Sequence, residues 1–176
     1  HRLVLLRGPG GAGKTRLAVE VARALAQGSP WWPGGPPEGA SGALPAFDLV
    51  CFVPLAACTT RAQMLDAVLL ALRHESDRVV ADESARVEQA LAGRRVLLVL
   101  DNFEQLVEAG RTDLTQWLSR LPGLQLLVTS RRVLAVDGEF EHALSALPLP
   151  EGGAALDRHA LKDRKSTRLN SSHATL

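Results

Sequence analysis

The sequence predicts an α/β protein: a parallel β-sheet flanked by helices on both faces, an α/β/α sandwich. Three observations predict it. Continuous apolar runs at Leu3–Leu6, Val96–Leu100 and Leu124–Thr129 read as strands buried on both faces. Between such runs, apolar residues recur at helical spacing, as in Leu17, Ala18, Val21, Ala22 and Leu25. Strands that alternate with helices need crossover connections, and these give a parallel sheet. No internal repeat interrupts the pattern.

The elements follow in order. Leu3–Leu6 is the first strand, ending at Arg7 and Gly8. A Gly-rich turn leads into the helix of Leu17 to Leu25, with Gly28 as its expected stop. Ser29–Ala46 is dense in Pro and Gly and reads as a long surface loop, whose Trp31 and Trp32 either pack it down, the favoured reading, or offer a docking point. Phe47–Leu55 is a second strand. Arg61–Leu72 places Met64, Leu65, Val68, Leu69 and Leu72 on one helix face. Asp82 is positioned to cap a helix through Leu91, with Gly93 after it. Val96–Leu100 is a central strand, buried on both faces. Two short helices are expected around Glu104–Ala109 and Thr112–Arg120, the second stopped by Pro122-Gly123. Leu124–Thr129 is a further strand, and Phe140–Leu144 one more before the exit at Pro148–Pro150.

With 176 residues, 46% of them hydrophobic, the chain can bury one core. A formal net charge of +1 gives no general electrostatic case for nucleic acid or membrane binding. No run approaches the roughly 18 apolar residues that span a bilayer. Cys51 and Cys58, without clustered His, do not make a zinc site and read as small buried or half-buried residues, which fits a reducing cytoplasm. His1 runs straight into an apolar strand without a leading Met, so a fragment is expected. The expected organisation is a core over residues 1–150, a linker over 151–162 and a tail over 163–176. The tail, from Asp163 to Leu176, is polar and aperiodic, and it resembles the conceptual translation of a sequencing adapter. Setting aside its Arg164, Lys165, Arg168 and Asp163 takes the net charge from +1 to −1, so no basic-tail function follows.

The chemistry concentrates in three places. Gly8-Pro9-Gly10-Gly11-Ala12-Gly13-Lys14-Thr15 matches G-x-x-x-x-G-K-[ST]. The glycines let the backbone turn sharply and bring its N–H groups onto phosphate oxygens. The helix that starts there adds the positive end of its dipole. Lys14 is expected to reach the β and γ phosphates, and the Thr15 hydroxyl to ligate Mg²⁺; Arg16 follows directly. Chance gives this pattern in about one chain in a few hundred of this length. Residues 1–161 hold a single lysine, Lys14, among many arginines. A planar guanidinium does not replace a compact ammonium in a closed phosphate cradle, so that residue choice is informative.

The second place is Val96-Leu97-Leu98-Val99-Leu100-Asp101-Asn102. An acid at the carboxyl end of a buried strand lies where open α/β sheets bind ligands. Asp101, 87 residues after Lys14, is placed to hold Mg²⁺ directly or through water. Asn102 occupies the position where many related ATPases carry Glu, which puts fast hydrolysis in doubt more than binding. Glu104 is the nearest acid; it either orients water or opens the next helix. The third place is Thr129-Ser130-Arg131-Arg132, where Arg131 either senses a γ-phosphate or is a solvated strand-end cation. The candidate catalytic residues are therefore Lys14, Asp101, Asn102, Glu104 and Arg131.

Taken in order, GPGGAGKTRLA, VLLVLDNFEQL, LLVTSRRVL and GEFEHALSALPLP resemble the NB-ARC-like STAND P-loop ATPases, over roughly Leu3 to Pro150. The nearest subgroup is the large bacterial transcriptional regulators of LuxR and antibiotic-regulatory type. The resemblance implies a P-loop NTPase core that binds ATP or ADP with Mg²⁺, hydrolyses slowly and serves as a signalling switch. It implies Walker A at Gly8–Thr15, Walker B at Asp101 with Asn102, and a sensor at Arg131. It also implies helical, winged-helix and repeat domains beyond this segment, DNA contact only through an effector elsewhere, no membrane partner, and scope for a nucleotide-dependent oligomer. Two other readings stand beside it. A small-molecule P-loop kinase needs an Arg-rich lid and an acceptor site, neither of which is evident. A remodelling or DNA-processing ATPase lacks support from a basic patch. No N-K-x-D guanine motif and no LSGGQ signature is present.

Overall fold

In the computed structural model, residues 1–27, 46–72 and 82–146 are described. The elements are β1 (Leu3–Arg7), α1 (Lys14–Ala26), β2 (Leu49–Pro54), α2 (Arg61–Ala71), α3 (Glu83–Leu91), β3 (Val96–Asp101), a 3-10 turn (Phe103–Gln105), α4 (Val107–Arg120), β4 (Leu124–Ser130) and β5 (Glu139–Ala143). Five strands form one sheet in the order β2-β3-β4-β1-β5, and every pairing is parallel. The predicted α/β sandwich is the fold. The stop at Gly28, the loop with Trp31 and Trp32, the exit at Pro148–Pro150, the linker and the tail lie outside the described residues.

Period-two alternation divides the core into two layers. Leu3, Leu5, Val53, Val96, Leu98, Leu100, Leu126 and Val128 face one side, where α2, α3 and α4 pack. Leu6, Leu97, Val99 and Leu127 face the other, against Ala18 and Ala22 of α1. The continuous apolar run of β3 is explained by this arrangement, since all six of its residues are buried.

Local chemistry sets the helix starts. Thr60 caps α2 in a capping box: its hydroxyl accepts from the Gln63 N–H at 3.3 Å, and the Gln63 side chain accepts from the Thr60 N–H at 3.2 Å. Asp82 caps α3 as its sequence position suggests, accepting from the Ser84 N–H at 3.2 Å. On the helical face, Arg61 makes a two-pronged contact with buried Asp113, at 2.7 and 2.8 Å, and so ties α2 to α4. That carboxylate holds the Arg61 guanidinium above its ordinary pKa. Burial pushes the Cys51 thiol up, as expected for a small core residue.

One expectation is corrected. The two short helices around Gly110 are one 3-10 turn followed by a single continuous helix, α4. Gly110 is buried within that helix. A Cβ built on it would stand 2.7 Å from the Met64 sulfur and 2.9 Å from the Phe103 ring. The glycine is there for close approach of α2 and the 3-10 turn, not to break the helix. Gly110→Val is expected to overpack this contact and lower unfolding stability by about 1–3 kcal/mol, read from the denaturant midpoint at constant m. An unchanged midpoint would show that the contact can yield freely.

β5 also falls one residue from its expected bounds. It adds to the free side of β1, with Leu3 opposite Glu139 and Arg7 opposite Ala143. Arg7 and Glu141 close this edge with an ion pair at 2.7 Å.

Candidate functional site

Because all strands run parallel, their carboxyl ends lie along one rim of the sheet. Gly8 follows β1, Asp101 ends β3, and Arg131 follows β4. The strand order places β4 between β1 and β3, so the end of β4 stands between the phosphate loop and Asp101. This is the rim at which open α/β sheets bind ligands.

The loop from Gly8 to Gly13 rises from β1 and enters α1. Gly8 sits against the Leu144 carbonyl, where a Cβ would collide with that oxygen, and its N–H donates to the Ser130 carbonyl at 3.4 Å. Gly11 and Gly13 take φ of 78° and 82°, the left-handed region that side chains resist. Gly13 is the N-cap of α1 and has no side chain to cap it, so the first N–H groups of the helix are left for a ligand. Pro9 and Gly10 are exposed, Ala12 is buried, and Arg16 is exposed on the first turn.

Lys14 is only 8% exposed. Its ammonium donates to the Gly8 carbonyl at 2.8 Å and the Pro9 carbonyl at 2.9 Å, inside the curve of the loop. Thr15 turns the other way. Its hydroxyl lies 2.8 and 3.1 Å from the two carboxylate oxygens of Asp101. The sequence-predicted pair, 86 positions apart, is thus brought into direct contact.

Thr129 was missed as a site residue, although it lies in a stretch already singled out. Fully buried, it donates its hydroxyl to Asp101 Oδ1 at 2.6 Å and accepts from the Asn102 N–H at 2.9 Å. Two hydroxyls therefore fix the Asp101 carboxylate. Nothing in the sequence alone places β4 next to β3, so the signal lay in topology rather than in residue type.

Asn102 has φ 63° and ψ 51°. Asn tolerates the left-handed region better than most residues, and here it turns the chain from β3 into the 3-10 turn. Its described role is that of a backbone hinge. Glu104 lies on the following turn, with its Oε1 3.4 Å from Arg131 Nε. Arg132 pairs separately with Glu108 at 2.9 Å. Lys14, Thr15, Asp101, Asn102, Glu104 and Arg131 are thus gathered on one rim.

The donor set fits a magnesium ion held with a nucleotide. Thr15 gives its proton to a carboxylate and keeps its lone pairs for a cation, and Asp101 presents oxygen ligands beside it. Among the described residues no cluster of three or more His, Cys, Asp or Glu could hold a metal. A cation here would share one carboxylate with phosphate and water oxygens, as Mg²⁺ does.

A family model for the NACHT domain matches residues 2–154. The chain belongs to the NACHT family of STAND P-loop NTPases. The sequence pointed to the STAND class through its NB-ARC-like members, and the family that matches within it is NACHT. Proteins described as HTH-type transcriptional regulators of Mycobacterium bovis and Mycobacterium tuberculosis are 30% identical to this NACHT domain over 158 residues. The match covers 89% of the chain but 15% of each relative, so the chain spans about a seventh of their length. Among solved structures, the ORC2 protein of Aeropyrum pernix matches with a TM-score of 0.56 at 14% identity, over 82% of this chain and 42% of that one. Drosophila ORC bound to DNA matches with a TM-score of 0.52 at 17% identity, over 83% of this chain and 38% of that one. At such identities these likenesses concern the fold alone. Among the described residues no helix is long and apolar enough to cross a membrane.

Proposed function

We propose that this NACHT domain is a Mg-ATP/ADP-binding signalling switch that hydrolyses ATP slowly. The observation that carries the reading is the contact of Thr15 with Asp101, which ties the phosphate loop to the acid on β3. Lys14 and the loop N–H groups bind phosphate, Thr15 and Asp101 hold Mg²⁺, and Arg131 senses the γ-phosphate. The metal, when bound, supplies charge neutralisation of the phosphates. Slow turnover is supported by Asn102, which puts a backbone hinge where a water-activating acid would stand. The wider role draws on the STAND resemblance and is supported by relatives described as HTH-type transcriptional regulators: in this reading the switch governs helical, winged-helix and repeat domains elsewhere, and DNA is met through an effector among them. A cytoplasmic location and nucleotide-dependent assembly belong to the same reading.

The test is nucleotide binding to the intact chain with and without Mg²⁺. ATP and ADP should both bind, and hydrolysis should fall well below the roughly 1–100 s⁻¹ of kinases. Asp101→Asn should shrink the affinity gained on adding Mg²⁺ by about tenfold or more. A Mg²⁺ dependence untouched by that change would remove Asp101 from the metal site. Rapid phosphoryl transfer to a small acceptor would replace the switch with a kinase.

A further inference from the structure

Glu104 has two obvious uses, activating water or opening a helix, and its contacts suggest a third. Its side chain is 19% exposed, and Oε2 is buried with no hydrogen-bond donor reaching it among the described residues. Among the described residues Oε1 forms an ion pair with the Nε of Arg131 at 3.4 Å. The carboxylate is thus half-buried, and Arg131 is the cation that stands against it.

The other side of the same guanidinium faces elsewhere. Arg131 Nη2 lies 3.5 Å from where a Cβ on Gly10 would stand, alongside the phosphate loop. The side chain of Arg131 is otherwise 62% exposed, so little else restrains it. A guanidinium is a planar fork whose donors keep fixed relative directions. Holding the Nε edge therefore aims the Nη edge. Gly10 offers no side chain to stand between that edge and an anion in the loop.

We infer that Glu104 is a positioning residue for Arg131: it holds the Nε edge so that the Nη edge is directed at the terminal phosphate of a nucleotide in the phosphate loop, and so sets the preference for ATP over ADP. The inference rests on the nucleotide-switch reading above. It assigns Glu104 a role through Arg131 and not on the attacking water. A flexible exposed arginine spreads its contacts over many rotamers, whereas a held one keeps the orientation that a γ-phosphate rewards. ADP lacks that phosphate, so its affinity should be indifferent to the hold.

The experiment compares ATP and ADP affinity in the intact chain, with the non-hydrolysable analogue of ATP as a control. Glu104→Ala is expected to lower the ratio of ATP to ADP affinity by about tenfold, the scale of one charge-assisted hydrogen bond, with ADP affinity unchanged. Glu104→Gln keeps the size of the side chain but removes the charge of the ion pair, and is expected to lower the ratio nearly as far. Arg131→Ala should lower the ratio at least as far, and adding Glu104→Ala to it should change nothing more. A ratio that stays at its parent value in Glu104→Ala overturns the inference. So does hydrolysis lost equally in Glu104→Ala and Glu104→Gln at unchanged ratio, which would place Glu104 on water. If the parent binds neither nucleotide, the switch reading itself fails and the inference falls with it; the two failures are distinguished by the parent alone.

Discussion

Lys14→Ala should lower the affinity for ATP and ADP by at least about a hundredfold. The ammonium is buried within the loop and donates to the carbonyls of Gly8 and Pro9. Two of its three donors go to those carbonyls, so two bonds to phosphate require at least one of them to be exchanged for a phosphate oxygen. With a phosphate there, each charge-assisted hydrogen bond is worth roughly 1.5–3 kcal/mol, and each 1.4 kcal/mol is about a tenfold change in affinity. Two such bonds suffice for the stated loss. Lys14→Arg should also lose most binding, because the wide guanidinium does not fit where the ammonium sits between two carbonyls. Calorimetric titration of both variants checks this. Near-parent affinity in Lys14→Ala would sink the nucleotide reading altogether. The fold should survive, since the core residues beneath the loop are untouched, and an unchanged denaturation midpoint would separate lost binding from lost structure.

Trp117→Ala is the substitution expected to cost the most stability, about 3–5 kcal/mol. Trp117 on α4 is fully buried, and its indole N–H donates to the Ser84 hydroxyl of α3 at 3.1 Å. Removing the ring leaves a cavity between two helices and also strands a buried hydroxyl. That loss is a large part of the 5–15 kcal/mol by which domains are stable. Trp117→Phe should fall between, because it retains much of the volume but not the donor. Chemical unfolding at constant m is the measurement. A loss below about 1 kcal/mol would mean that α3 and α4 collapse together to refill the site.

Much of the site was legible because phosphate binding makes demands on consecutive residues. The turn, the left-handed glycines, the single lysine and the hydroxyl all lie within Gly8–Thr15, so their spacing alone carried the chemistry. Asp101 was legible for a related reason: a strand buried on both faces must be apolar, and an acid at its end stands out. Gly110 misled for the opposite reason. Its residue type suggested a break, and only the approach of Met64 and Phe103 explains why a glycine continues the helix. At Asn102 the structure adds a demand the sequence did not show: its φ of 63° is a left-handed conformation that Asn can meet.

What the sequence by itself determined is the class of fold, the parallel run of strands and the phosphate loop, because these rest on periodicity and on contiguous residues. What only the tertiary structure decided is who meets whom across the rim. Insertion of β4 between β1 and β3 brings Thr129 onto Asp101 and Arg131 between Glu104 and Gly10. Those partners are distant in sequence, and no local pattern encodes the order of strands in a sheet. That order is settled by which apolar faces the helices can cover together, and it sets beside a recognisable phosphate loop a held acid and an arginine paired with Glu104.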